Sequence, residues 1–435
     1  MNNSGIDYRS RFWRLAIVNV LSNLMVPLAS LVDVAFLGHL TEISHLAGVA
    51  IATVLFNYIY WTFGFLRMAT TGLTAQAKGR ESTEEVVLIL LRNMAIALAI
   101  SLVILILQQP IREIGFALLR AEPKVLESGR DYYNALIYGA PATLINFVLL
   151  GWFLGKEQVG KVLLLSSVNK GANIIFDYLF IVRWGQTSAG AGAATAISQY
   201  ITLGLGLLLV LGELPWSTLA RYKKQVWDLS AFKATFSLNR DILIRTLALI
   251  STFAVFTNLS ATMGTGVLAA NTLLLQVVTL SAYFIDGIAF ATESLAGNIR
   301  GQGKLDRLIP LLKIAGSSSL IAGLGFATIF CLFPQALFGL LTNHSEVIER
   351  VSNYVWWLFP VLGFGSIAYM LDGYFLGLTA GKILRQSTIA AALLGFVPVA
   401  IAAWYWQTNS LLWLALTIFM ATRSITLGVK TKSFS

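Results

Sequence analysis

The stretch LLGWFLG, Leu149 to Gly155, is an apolar run closed by glycine, and it returns as LDGYFLG, Leu371 to Gly377. A second pair behaves in the same way. MATTGLTAQAKGR, Met68 to Arg80, comes back as FATESLAGNIRGQG, Phe290 to Gly303. Two such matches at one spacing indicate that the chain is built twice from one plan, and what is repeated depends on the solvent around it.

That solvent is lipid. Hydrophobic residues make up 57% of the 435 and charged residues only 12%, whereas a soluble domain carries roughly 25% charged residues. In water this composition would expose large apolar patches. About twelve mainly apolar runs reach the roughly 20 residues that a spanning helix requires. They cover 13–38, 46–75, 86–108, 131–155, 161–183, 191–212, 243–264, 268–298, 312–333, 350–378, 384–405 and 410–428. The short alternating segments of a membrane barrel are absent. The fold class is an all-α polytopic membrane protein.

On this reading LLGWFLG lies in span 4 and LDGYFLG in span 10, while the second pair ends spans 2 and 8. An offset of six spans preserves orientation. The expected architecture is therefore two six-helix lobes related by a parallel pseudo-two-fold repeat, a plan that encloses a cavity and works by alternating access. The expected division is a cytoplasmic N-terminus over 1–12, an N-lobe over 13–213 and an inter-lobe linker over 214–240. A C-lobe over 241–428 and a cytoplasmic tail over 429–435 complete it. Within the linker, Trp227, Phe232 and Phe236 are interleaved with basic residues. That pattern suggests an amphipathic helix on the inner membrane surface, with a disordered linker as the alternative.

The net charge of +10 reports topology. Arg9, Arg11 and Arg14 precede span 1. Lys78 and Arg80 follow span 2, Arg221 to Arg240 fill the linker, and Lys430 and Lys432 close the chain. The positive-inside rule then puts both termini in the cytoplasm, although the loop with Arg112, Arg120, Lys124 and Arg130 runs against it. No nucleic-acid partner is expected; the partners are the bilayer and small cargo, and the chain is expected to act as a monomer. The single Cys331 excludes an internal disulfide and a thiolate metal cluster. The first apolar run lacks a cleavage site and reads as a retained helix.

Ionisable residues inside spans are the informative ones, because an acid at a helix centre costs about 2.5–3.5 kcal/mol on insertion scales. Asp33 stands in SLVDVAFLGHL of span 1, six residues beyond Pro27, a candidate hinge. NKGANIIFD in span 5 sets Asn173 and Asp177 four apart on one helical face. Thr195, early in span 6, adds a hydroxyl. Two carboxylates in a low-dielectric site cannot both ionise cheaply, so Asp33 and Asp177 could share a proton, and the same oxygens would suit Na⁺. In the second half Asp286 and Glu293 lie seven apart on span 8, and Asp372 replaces Leu150 of the repeated motif. These acids suggest an anionic C-lobe cavity that attracts lipophilic cations, with Arg67 of span 2 as the main basic residue able to oppose them. His39, His45 and His344 show no metal-ligand spacing, no GxxxxGK[ST] loop is present, and no nucleophile–base pair stands out. No enzyme and no cofactor are expected.

At these residues the chain resembles the multidrug and toxic compound extrusion (MATE) transporters. LVDVAFLGHL, NIIFD and RMATTGLTAQAKGR carry the likeness nearly end to end, and LRMATTGLTAQA with LLGWFLG point to the DinF-like branch. The resemblance implies an antiporter that expels cationic or amphiphilic compounds in exchange for H⁺ or Na⁺, in a plasma or inner membrane. It maps the coupling-cation site onto Asp33, Asn173, Asp177 and Thr195, and a NorM-like acid onto Asp372. Two positions depart from the family. Many relatives carry a proline in span 1 where this chain has Val18, and span 7 has no carboxylate in TLALISTFAVFTNLSATMG. A lipid-linked precursor flippase of the same superfamily is the rival reading, and it would require a more basic cavity.

Overall fold

The computed structural model describes residues 3–38, 43–118, 122–222, 224–342 and 344–434; side chains at 3–8, 29–35, 37–38 and 43 are outside that description. Among the described residues the chain is helical and contains no strand. In order the helices are α1 (Asn3–Gly38), α2 (Ile43–Phe63), α3 (Phe65–Gly79), α4 (Thr83–Ile106), α5 (Gln108–Leu118), α6 (Pro123–Leu136), α7 (Ala140–Gly155), α8 (Val159–Asp177), α9 (Ser188–Glu213) and α10 (Trp216–Arg221). They continue as α11 (Leu229–Thr262), α12 (Thr265–Gly301), α13 (Leu308–Leu332), α14 (Pro334–Gly339), α15 (Ser345–Tyr354), α16 (Leu358–Gly377), α17 (Gly381–Ala390), α18 (Val397–Trp406) and α19 (Asn409–Thr431). Among the described residues ten helical stretches are long and apolar enough to cross a membrane. They correspond to all the expected runs except those of α1 and α8. Side chains such as Ile106 (78% exposed), Ile321 (71%) and Leu394 (78%) face outward on them, as a surface solvated by lipid tails allows.

Contacts divide the described chain into two compact units. One runs from Leu21 to Phe236; the other joins the residues up to Val20 with those from Ser237 onward. The first half of α1 thus packs with the C-terminal unit, where Gly287 of α12 lies against the Val20 backbone.

Within each unit the two repeated motifs are the two sides of one helix crossing. In the first unit α7 packs on α3, with Gly151 against the Arg67 carbonyl and Gly155 against the Thr71 carbonyl. In the second α16 packs on α12, with Gly373 against the Ala289 carbonyl and Gly377 against the Glu293 carbonyl. A Cβ at any of these four glycines would collide with backbone, so the crossing requires their absence of a side chain. One sequence offset carries each residue of the first crossing to its counterpart in the second.

The same offset relates the ends of these helices. Lys78 donates to the Lys156 carbonyl (2.6 Å) and Arg300 to the Leu378 carbonyl (3.0 Å). The following residues, Glu157 (φ 60°) and Thr379 (φ 51°), are both left-handed. Each terminus closes with paired backbone bonds, Glu157 to Leu154 and Gln158 to Phe153 in one unit, Thr379 to Leu376 and Ala380 to Phe375 in the other. This is the Schellman way of satisfying a helix's last carbonyls.

The inter-unit connection differs from expectation. It is not one in-plane amphipathic helix, because α11 already begins at Leu229 and takes Phe232 and Phe236 into the extension of span 7. The cause is Asp228, whose Oδ1 accepts from the Ser230 and Ala231 amides (2.8 and 3.1 Å) and so starts the helix there. The Ser230 hydroxyl, together with those amides, holds the Asp228 carboxyl below the usual carboxylate range. Trp227 stacks on Phe232 (6.3 Å) and remains 70% exposed.

Candidate functional site

In the first unit the α8–α9 seam is polar at membrane depth. Asn169, Asn173 and Asp177 recur every four residues on α8, so one face carries all three. Asn173 Nδ2 donates to Asp177 Oδ2 (2.8 Å) and to Thr195 Oγ1 (3.4 Å), and Thr195 donates in turn to the Ala191 carbonyl (3.1 Å). One turn before Asn173, Asn169 donates to Thr202 Oγ1 (3.1 Å). Asn173 and Asp177 are 4% and 1% exposed. The small residues of SAGAGAATA let α9 approach α6 on its other side, where Gly192 sits against the Tyr132 carbonyl.

Asp177 also ends the α-helical part of its span, and a π-helical turn, Tyr178–Arg183, follows it. Such turns loosen the carbonyl ladder and recur at functional positions. The structure therefore brings together Asn173, Asp177 and Thr195, as the sequence reading expected, and adds Asn169, which continues the same spacing and was overlooked.

Asp33 lies on α1 with its side chain outside the described residues, and Pro27 lies inside the same helix. Two contacts fix the register of α1 beside α8. Ser167 Oγ approaches Met25 Sδ (3.6 Å), and the Phe36 ring lies 6.4 Å from the Tyr178 ring. Equal lengths of chain separate the two contacts on both helices, so they run parallel and residue 33 falls level with the turn that carries Asn173 and Asp177.

The second unit corrects the expected charge of its acids. Asp372 of α16 is 4% exposed, and its Oδ2 accepts from both Arg245 of α11 and Arg423 of α19. Two guanidinium groups thus share the one Asp372 carboxylate. The expectation of an anionic interior opposed mainly by Arg67 does not hold at Asp372. Arg67 lies on α3 of the other unit. Arg423 has no exposed surface and sits between the rings of Tyr369 (5.6 Å) and Phe419 (5.5 Å). Asp286 of α12 is half-buried and close enough for its charge to act on Arg423. Glu293, seven residues further along α12, is fully buried.

Neither arginine was singled out from sequence. Arg245 stands at the start of the apolar run 243–264 and Arg423 near the end of 410–428, where sequence alone does not separate an inward arginine from one at the interface. Among the described residues no group of three or more His, Cys, Asp or Glu could hold a metal. His45 instead spans two serines, with Nδ1 3.1 Å from Ser128 Oγ and 3.0 Å from Ser188 Oγ.

Comparison with known proteins fits this architecture. A family model described as MatE matches residues 19–179 and 242–406. The chain is 34% identical to the DNA damage-inducible protein F of Escherichia coli (strain K12), over 96% of this chain and 90% of that one. Among solved structures it resembles a MOP superfamily transporter from Pyrococcus furiosus, described as having a binding pocket of reversed polarity, with TM-score 0.86, 20% identity and coverage of 97% and 95%. It also resembles a multidrug resistance MATE family transporter in its outward-facing conformation, with TM-score 0.84, 19% identity and coverage of 97% and 95%.

Proposed function

This chain belongs to the MatE family, and on that premise we propose that it is a secondary active antiporter exporting cationic or amphiphilic organic compounds in exchange for H⁺. The family consists of multi-pass membrane transporters rather than enzymes. The observation that carries the coupling reading is the buried Asn173–Asp177–Thr195 arrangement, with residue 33 level with it on α1.

A buried carboxylate at membrane depth is costly as an anion and cheap once protonated. The Asn173 amide, donating to Asp177, lowers the cost of the anion. Asp33 and Asp177 on neighbouring helices would repel if both were ionised, so the pair holds one proton at a time, and the proton belongs to the pair rather than to either residue. Proton entry from outside favours one arrangement of the units, and proton loss to the cytoplasm favours the other. Cargo that binds one arrangement better is thereby exchanged for the proton. No cofactor takes part, and the coupling ion is H⁺. The distribution of Lys and Arg supports cytoplasmic termini and, in a bacterium, the inner membrane.

The test uses purified protein in liposomes loaded with a fluorescent lipophilic cation. A proton gradient and a Na⁺ gradient are imposed separately, on the wild type and on Asp33→Asn. The expected result is cargo movement driven by the proton gradient alone and abolished by the substitution. Movement driven by Na⁺ alone would transfer the coupling role to that ion. Undiminished proton-driven movement in Asp33→Asn would overturn the mechanism.

A further inference from the structure

The short helix α5 joins α4 to α6, and its first turns close one side of a cavity of about 220 Å³. Gln108, Gln109 and Arg112 of α5 line it, together with Tyr133 and Asn134 of α6 and Tyr138 just beyond. Every lining side chain ends in an amide, a phenol or a guanidinium. A buried water takes up about 30 Å³ and a drug-sized ligand roughly 300–1,000 Å³, so the space lies between the two. Its surroundings are apolar: Leu102, Val103 and Ile106 of α4 and Ile114 and Leu118 of α5 are all exposed. A polar hollow with a basic side chain beside a lipid-facing surface suits a lipid headgroup.

The cavity also holds open donors. Arg112 gives Nε and Nη2 to Glu113 Oε1 (2.9 and 2.8 Å) and Nη1 to Asn134 Oδ1 (2.9 Å). Glu113 meets its charge and fixes its plane, and also takes Arg130 (3.1 Å). Two of the five Arg112 N–H groups are still without a partner among the described residues. The same holds for the side-chain amides of Gln108 and Gln109 and for Asn134 Nδ2.

The second unit shows that the fold does not require this chemistry. The offset that carries Gly151 to Gly373 carries the six lining residues to Phe330, Cys331, Pro334, Val355, Trp356 and Pro360. None of these is charged and none bears an amide side chain. There Cys331 and Val355 are buried, with the thiol on the Val355 carbonyl (3.3 Å). Arg112 also belongs to the basic loop that runs against the positive-inside pattern, so its charge needs a reason other than topology.

We propose that this cavity receives the phosphodiester headgroup of a hydroxylated phospholipid of the phosphatidylglycerol type. On the topology above, that lipid belongs to the outer leaflet. The open Arg112 N–H groups meet the phosphate oxygens. The amides of Gln108, Gln109 and Asn134, which both donate and accept, meet the hydroxyls. The acyl chains lie along the exposed apolar face of α4. The proposal rests on the membrane fold and not on the antiport reading.

The experiment is native mass spectrometry of the full-length protein in detergent. Dioctanoyl phosphatidylglycerol is titrated in parallel with dioctanoyl phosphatidylcholine, whose head carries no hydroxyl. The wild type should bind phosphatidylglycerol more tightly, and Arg112→Gln should weaken that binding by about tenfold. Gln108→Leu/Gln109→Leu removes amides that hold no other group, and it should abolish the preference over phosphatidylcholine. That double variant keeps the test decisive if Arg112→Gln fails to fold. Soluble glycerophosphoglycerol, the same head without chains, should not displace the lipid at equal concentration. Equal wild-type affinity for the two lipids, an undiminished preference in the double variant, or displacement by the soluble head would each overturn the proposal. Because only binding is read, such a failure would leave the proton-coupling test untouched.

Discussion

Asn173 is the residue on which the candidate coupling site turns, since one amide nitrogen serves both Asp177 and Thr195. Replacing it with leucine keeps the volume and removes the donor, leaving a buried carboxylate short of a hydrogen bond. Asn173→Leu should therefore lower stability by about 1–3 kcal/mol, read as a fall in the thermal unfolding midpoint in detergent at neutral pH. The loss should shrink in Asn173→Leu/Asp177→Asn, where the buried charge is gone as well. A single variant as stable as the wild type would mean that Asp177 does not depend on this amide. This site was legible in the sequence because its residues are local: the spacing of four places Asn173 and Asp177 together whatever the tertiary fold does. The arginine cluster was not. Arg245, Asp372 and Arg423 come from three distant helices, and nothing in RTLALIST or MATRSITLG distinguishes an arginine turned inward from one at the interface. Only the packing of α11, α16 and α19 brings them to one oxygen atom.

At the scale of elements, most of the fold was legible because apolar length and glycine spacing are local properties too. The repeated glycines foretold a close crossing, and the structure identifies the carbonyls they meet. Gly377 has the Glu293 carbonyl where a Cβ would go, whereas Gly171, in the middle of α8, has open space. Gly377→Ala should destabilise by about 1–3 kcal/mol through overpacking, and Gly171→Ala should stabilise by roughly 0.5–1 kcal/mol through helix propensity. Thermal unfolding of the two variants checks the pair, and equal shifts would contradict the crossing. Element boundaries were less legible. The polar stretch before span 7 reads as a linker by composition, yet Asp228 caps it and turns it into helix. Capping acts through a single side chain, and hydropathy averaged over a window does not register it.

At the scale of the whole molecule, each half applies one plan to different chemistry. The glycine crossings, the left-handed helix ends and the basic side chains closing them recur at one offset, while the polar groups do not. The first unit carries a neutral donor beside a carboxylate, and the second carries two cations around one. The site also marks its own helix: α8, with Lys161, Asn169, Lys170, Asn173 and Asp177, is absent from the ten stretches apolar enough to span by composition. A chain that places such a helix at membrane depth gives up burial free energy for chemistry, and the chemistry proposed for it is proton exchange. It is tested most directly by adding a lipophilic cation to the purified protein in lightly buffered detergent and following released protons with a pH dye. The wild type should release protons as cargo binds, and Asp177→Asn should bind the same cargo with no release. Equal proton release from the variant would contradict the account.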